Sequence, residues 1–397
     1  MMNSILNLTG TSMGAASWDW VFCGAFLVIL TAVLLYARSI PQGDRRWWAL
    51  TIVTGLLAMA GIAVGEGWLR VILIDLAAFT GVALVWVQDS PKTKAAARSY
   101  LYFMIAAVVL LAAGTYLAGE GTTAPAHPVD KLAVALLLIG FSLKLALVPF
   151  YFWLPGVAER SKVMTSVMII SVIDIAAVAE LIHLRESAPW IFTGYPTLWL
   201  VIALLSMFGG ALLALAQTNI KRMLAFSTID DMGYLVLGTL VGSAFGISGA
   251  ILGALSHAFF KLILFGSVGV AENGLGHDLT LKDRGVASRF PVSAALFIFG
   301  ALGMIGVPPL FGFIGRWRLY LSGVEFGGLP LALTMAAATG LALLYYVRTI
   351  HRVWLGKPEN EPKAIKEPAA PVAVLMVVLL IMLAIGLFPM WLTGLIG

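Results

Sequence analysis

Residues 136–155 read LLLIGFSLKLALVPFYFWLP, an apolar run with a lysine, Lys144, near its middle and a proline, Pro149, shortly after it. A helix of this length covers about 30 Å of hydrocarbon. Inside it the proline removes a backbone donor and breaks the helical ladder, so the carbonyls it frees need partners from a neighbouring helix or a wet cavity. An ionised side chain at such depth costs from ~2.5 to over 10 kcal/mol, depending on the measure. The stretch therefore specifies a membrane helix that is interrupted and carries a charge at its centre.

The rest of the chain agrees. Hydrophobic residues make up 60% of it and charged residues 11%, against roughly 25% charged in an average soluble domain, and the mean hydropathy is +0.97. A water-soluble fold is excluded, and the ~10-residue alternating segments of a membrane β-barrel are absent from the sequence. Apolar runs place helices at 18–37, 47–65, 68–87, 100–118, 131–154, 163–184, 194–216, 231–245, 247–271, 290–314, 329–350 and 370–393, about twelve transmembrane helices in an all-α polytopic fold. The longest polar segments, around 272–289 and 351–369, are too short to bury a core of their own. A single membrane domain is expected over 1–397, with N-terminal helices in 1–66, a core over 68–351 and a C-terminal helix at 370–393.

Loops that follow odd-numbered spans hold eighteen Lys and Arg, among them Arg45, Arg46, Lys92, Lys94, Lys221, Arg222 and Arg352. Loops that follow even-numbered spans hold only Arg70, Lys131, Arg185, Arg316 and Arg318. The positive-inside rule then puts the odd loops in the cytoplasm and both termini on the outer side of a prokaryotic inner membrane. No positive charge precedes the first apolar run, whose first charge is Asp19, so a cleaved signal peptide is not expected. Trp18, Trp20, Trp47, Trp48, Trp317 and Trp391, near span ends, read as interface anchors.

A second interruption stands at 300–317, GALGMIGVPPLFGFIGRW, where Pro308 and Pro309 fall inside an apolar run. The two broken spans are five apart, so they run in opposite directions, and spans 2–6 and 7–11 are expected as inverted five-helix repeats with a site at the midplane.

Charges inside spans are candidates for that site. Burial drives a lysine toward neutrality, which suits Lys144 to load and release a proton. Asp75 in VILIDLAAF is its natural partner, and Asp174 in MIISVIDIAAVAEL is mid-span and able to hand on a proton. His257 and Lys261 in ALSHAFFKLILF stand four apart on one helix face, an imidazole one turn from an amine. Arg316 ends the second broken helix; a guanidinium biases the field but does not relay protons. Glu180, His183, Asp230 and Asp231 are expected in solvated or interfacial positions near span ends. Each intramembrane charge also has a plain reading, a fixed salt bridge or a snorkelling side chain.

Other chemistry is not written here. Cys23 is the only cysteine, so an internal disulfide, a Cys-ligated iron–sulfur cluster and a thiolate zinc site are out. The sequence has no Gly-rich phosphate loop, HExxH or serine-nucleophile motif, and no metal-ligand cluster. A net charge of +5 in such a chain reflects Lys and Arg placement and does not imply nucleic acid. Cofactor sites are not expected in this chain, and any redox chemistry falls to partners.

With these residues in hand the chain resembles the antiporter-like proton-translocating subunits of respiratory complex I, energy-converting hydrogenases and Mrp-type cation/proton antiporters. Four blocks carry the resemblance in order: 136–155, then LALAQTNIKRMLAFSTIDDMGYLVLG at 213–238, SHAFFKLILFGSVGV at 256–270 and 300–317. The pattern is most similar to the quinone-oxidoreductase subunit N type, with two N-terminal helices fewer and without the long lateral helix of the largest family member. The resemblance implies that Lys144 is the central lysine of the first broken helix and Asp75 stands for the glutamate that modulates it. It makes His257 and Lys261 the HxxxK pair, and Arg316 the residue that is lysine or glutamate elsewhere. It also implies a multi-subunit complex with other membrane subunits, lipids and a peripheral redox arm that holds the iron–sulfur, flavin or quinone groups.

Departures are equally plain. Asp174, or Ile175 if the alignment slips by one, replaces the family's lysine in the following helix, and PGVAERSKVMTSV at 155–167 stands where the family has PDAHxxAPTPV. A carboxylate at 174 attracts Lys144 where a lysine repels it. The expectation is a translocase subunit. Protons enter from the cytoplasm near the first broken helix, rest on Lys144 under Asp75, pass through Asp174 and His257/Lys261 and leave near Arg316. Two other readings stay open: a Na⁺/H⁺ antiporter module, and a non-conducting scaffold that docks a soluble partner.

Overall fold

The computed structural model describes residues 17–65, 67–88, 90–119, 130–357, 366–390 and 392. Among the described residues, ten helices are long and apolar enough to cross a membrane. They are α1 (Ser17–Ser39), α2 (Arg45–Ala63), α3 (Trp68–Trp86), α4 (Pro91–Ala118), α7 (Val163–Ser187), α8 (Pro196–Ala216), α9 (Ile220–Val241), α10 (Ala244–Leu275), α12 (Gly312–Trp354) and α13 (Ala369–Leu387). Between them lie α5 (Asp130–Lys144), α6 (Trp153–Arg160) and α11 (Pro291–Ile305), which belong to the two interruptions. Among the described residues there is no β-strand, only an isolated bridge between Asn219 and Thr280. Trp391, expected as an interface anchor, lies outside the described residues.

Local chemistry sets the ends. Asp44 caps α2 through the Arg46 and Trp47 amides, and Ser90 and Thr93 form a capping box ahead of Pro91 at the start of α4. Asn219 caps α9, and Gly242 with Ser243 make the turn into α10: the glycine takes φ 66° after α9, and the serine accepts the Gly246 amide. α12 bends at Gly327–Gly328, where the backbone leaves helical geometry.

Burial divides the helices. The apolar windows of α7, α9 and α10 are 94%, 94% and 100% buried, whereas those of α4 and α12 are 22% buried. The central three therefore have no lipid face, and whatever polar residues they carry meet protein. Close approach makes this possible: at Gly210 on α8 a Cβ would stand 2.4 Å from the Asp230 amide nitrogen, so only glycine lets α8 and α9 cross there.

The structure corrects several end assignments. α9 begins at Ile220, not near 231, which moves Asp230 and Asp231 from a helix border to mid-helix, where both are buried. α4 begins at Pro91, a turn or more before the expected 100. Trp18 and Trp47 are buried, Trp47 donating to Thr165 Oγ1 at 2.8 Å, so neither anchors an interface; Trp20 and Trp317 are exposed. Arg70, assigned to a loop, is buried in α3.

Candidate ion-translocation site

Lys144 is the last residue of α5, and the chain after it leaves helical geometry until α6. The freed backbone groups are partnered. The Leu143 carbonyl accepts from Trp153 Nε1 at 2.9 Å, the Ser142 carbonyl from the Leu147 amide at 2.8 Å, and the Val148 amide donates to Ser206 Oγ on α8 at 3.1 Å. Ala146 supports the break in the left-handed region at φ 52°, an uncommon conformation for a residue with a Cβ.

The second interruption repeats the backbone part of this wiring. Gly306 (φ 85°) answers to Ala146, and the Val307 amide reaches back to the Leu302 carbonyl as Leu147 does to Ser142. The Leu310 amide returns to Val307 as Phe150 does to Leu147. At the place answering to Lys144 stands Met304, and Arg316 on α12 donates to its carbonyl at 3.1 Å. A cation thus sits at the C-terminal, negative end of the first half-helix in both interruptions.

The partners of those two cations differ. Lys144 Nζ lies 2.6 Å from Asp75 Oδ1 on α3 and 2.7 Å from Glu180 Oε2 on α7, with its side chain 1% exposed. One ammonium bridges two carboxylates. Arg316 meets Asp231 Oδ1 on α9, and Asp231 Oδ2 lies 2.7 Å from His257 Nδ1 on α10. The guanidinium also covers the Tyr234 ring at 3.9 Å from its centroid. Asp231, Gly253, Ser256, Met304 and Arg316 line a cavity beside this cluster.

Lys261, one turn from His257, sends its ammonium to neutral partners, the Leu224 carbonyl at 2.7 Å and Ser227 Oγ at 2.5 Å. Asp230 accepts from the Tyr345 hydroxyl at 3.1 Å. Asp174 follows a π-helical turn, Met168–Ile173, in the middle of α7. It is 1% exposed, and neither carboxylate oxygen has a hydrogen-bond partner among the described residues. Buried polar atoms in that state are uncommon, and π-turns recur at working positions in helices. Asp174 therefore does not neutralise Lys144; Glu180 does.

Glu180, His183, Asp230 and Asp231 were expected in solvated or interfacial places, and the structure buries all four. Glu180 completes the Lys144 centre and Asp231 ties the second cation to the imidazole. The available signal was spacing: Glu180 and His183 stand three apart on one face of a helix that also carries Asp174.

The family described as NADH:quinone oxidoreductase/Mrp antiporter, TM, matches residues 72–342, most of the chain. The chain belongs to this family. NADH-quinone oxidoreductase subunit N of Geotalea uraniireducens is 30% identical, over 95% of this chain and 85% of the relative. Among solved structures, a chain of the Mrp complex from a Dietzia species superposes with a TM-score of 0.85 at 19% identity, covering 96% of this chain and 82% of that one. A chain of NADH-bound respiratory complex I from Thermus thermophilus gives 0.83 at 19% identity, with 96% and 85% covered. Identities that low establish the antiporter-like fold alone; the family match and the subunit N relative establish membership.

Proposed function

We propose that this antiporter-like chain is a proton-translocating membrane subunit of a redox-driven, complex I-like or membrane-bound hydrogenase-like assembly. The carrying observation is the bridge at the centre of the first interruption, where one buried ammonium is shared between Asp75 and Glu180. A fixed structural pair needs one carboxylate; two around one lysine leave an excess negative charge that a single proton neutralises. Lys144, Asp75, Asp174, His257 and Lys261 are the relay groups, and Arg316 is a permanent charge that fixes Asp231 and His257. Iron–sulfur, flavin or quinone groups belong on partner subunits, which also supply the peripheral arm, and the chain performs no redox step itself.

Among the described residues, α5 with α6 counts as one crossing, α11 with α12 up to its bend as a second and the rest of α12 as a third, which with the nine remaining helices makes twelve spans and supports one membrane domain. The charge bias of the loops supports both termini on the outer side of a prokaryotic inner membrane. The deciding experiment is proton pumping by the reconstituted complex carrying Lys144→Ala. Loss of this subunit's share is expected, and full pumping would remove the reading. Sodium/proton exchange is the second reading, favoured by the unpartnered, buried carboxylate of Asp174, a hard-oxygen ligand. Transport driven by a sodium gradient alone, lost in Asp174→Asn, would select it.

A further inference from the structure

Beyond Lys144 toward the outer end of the same helices lies a second buried ionisable cluster that the relay above does not use. His183 stands one turn after Glu180 on α7, and Glu186 one turn after that. His183 Nε2 lies 2.9 Å from Asp19 Oδ1 on α1, and His183 Nδ1 lies 3.7 Å from Glu186 Oε2. Asp19 is fully buried and also binds Arg70 of α3 at 3.2 Å, while the Trp18 ring stacks on the imidazole at 4.3 Å. The Glu186 side chain is 40% exposed, so the series that begins at the buried lysine ends at the protein surface in the last turn of α7.

On α9 and α10 the other half of the molecule offers no such series, and on α12 the next carboxylate after Arg316 is Glu325, nine residues on. Arg316 does not deprotonate. From 232 to 241 on α9 and from 244 to 256 on α10, toward the same outer side, there is no carboxylate, imidazole or amine. A proton on Asp231 or His257 therefore has no carboxylate, imidazole or amine of those helices to step onto in that direction.

We propose that protons leave this subunit through its first half, by a Glu180–His183–Glu186 outlet along α7, and not beside Arg316. This rests on the proton-translocating reading and adds its exit. Lys144 gives a proton to Glu180 Oε2, so an N–H bond breaks, an O–H bond forms and the pair becomes neutral. Glu180 spans one helical turn, roughly 5–6 Å between Cβ atoms, to hand the proton to the imidazole. The imidazolium passes it from Nδ1 to the Glu186 carboxylate, which releases it to water. Lys144 is restored by a proton from the cytoplasmic side. Asp19, tied to Arg70, stays ionised and supports the transient imidazolium, and Trp18 holds the ring in place. The ionisable groups around His183 are thus Asp19 from α1, Arg70 from α3, and Glu180 and Glu186 from its own helix.

Protons pumped per substrate turnover, measured on the intact complex in proteoliposomes, test this. His183→Gln keeps an amide hydrogen bond to Asp19 but carries no proton, and Glu180→Gln keeps a partner for Lys144 without an acid. Both are expected to lose the same step of stoichiometry as Lys144→Ala, in complexes that retain the subunit at wild-type abundance. Wild-type stoichiometry in either variant, with Lys144→Ala still low, overturns the outlet and leaves the proton reading standing. Wild-type stoichiometry in all three overturns the reading beneath it. Imidazole added outside is expected to restore pumping in His183→Ala while pyrazole, which does not take up a proton near neutral pH, does not. Equal rescue by both would make His183 a structural support and end the proposal.

Discussion

The two interruptions share one backbone and hold opposite kinds of cation. In the first, a lysine at the end of a half-helix is suspended between Asp75 and Glu180. In the second, the same point is reached from the next helix by an arginine bonded to the Met304 carbonyl, Asp231 and the Tyr234 ring. An ammonium can be unloaded at working pH and a guanidinium cannot. Under the proposed function, equivalent geometry thus makes one centre switchable and the other a fixed positive charge. Wiring and function are separable: the break sets where a cation goes, and its chemistry sets what it does there.

Removing the switchable cation has the largest expected effect. Lys144→Ala strands Asp75 and Glu180 in the interior, which costs about 3–5 kcal/mol for a broken buried pair, and under the proposed function it is expected to abolish this subunit's proton transfer. Loss of the subunit from the detergent-solubilised complex on heating and the proton stoichiometry check the two effects separately. Arg316→Gln comes next. It leaves Asp231 with only its imidazole partner and is expected to destabilise the subunit by about 3 kcal/mol, whereas Arg316→Lys keeps the charge and most pumping. If Arg316→Lys stops transport as completely as Arg316→Gln, the second centre is not a simple fixed charge.

The shared lysine makes a sharper, smaller prediction. Asp75→Asn and Glu180→Gln each leave Lys144 one carboxylate, so single changes are expected to destabilise by about 1–2 kcal/mol, and the double variant by clearly more than their sum. A double-variant cycle on thermal stability reads that coupling; additivity would show that the two acids act independently. The smallest expected effect is at Ala146. Glycine there relieves a left-handed residue and is expected to stabilise by about 1 kcal/mol, seen as a modest rise in melting temperature, while Gly306→Ala at the answering position lowers it by more, because a Cβ there would also stand 2.9 Å from Arg316 Cβ.

The sequence alone determined the material and the periodicity: apolar runs of spanning length, prolines inside two of them, and Lys144, Asp75, Asp174, His257 and Lys261 within helices. Hydropathy is summed along one strand of chain, so it finds spans well, yet it misplaced the start of α9 because Lys221, Arg222, Asp230 and Asp231 dilute its first three turns. For the same reason Asp231 read as a border residue. Only the tertiary structure decided which carboxylate meets which cation. Ion pairing acts across helices distant in sequence, as between Lys144 and Asp75, and depends on rotation and depth that no linear pattern encodes. That packing gave Lys144 to Glu180 and left Asp174 unpartnered.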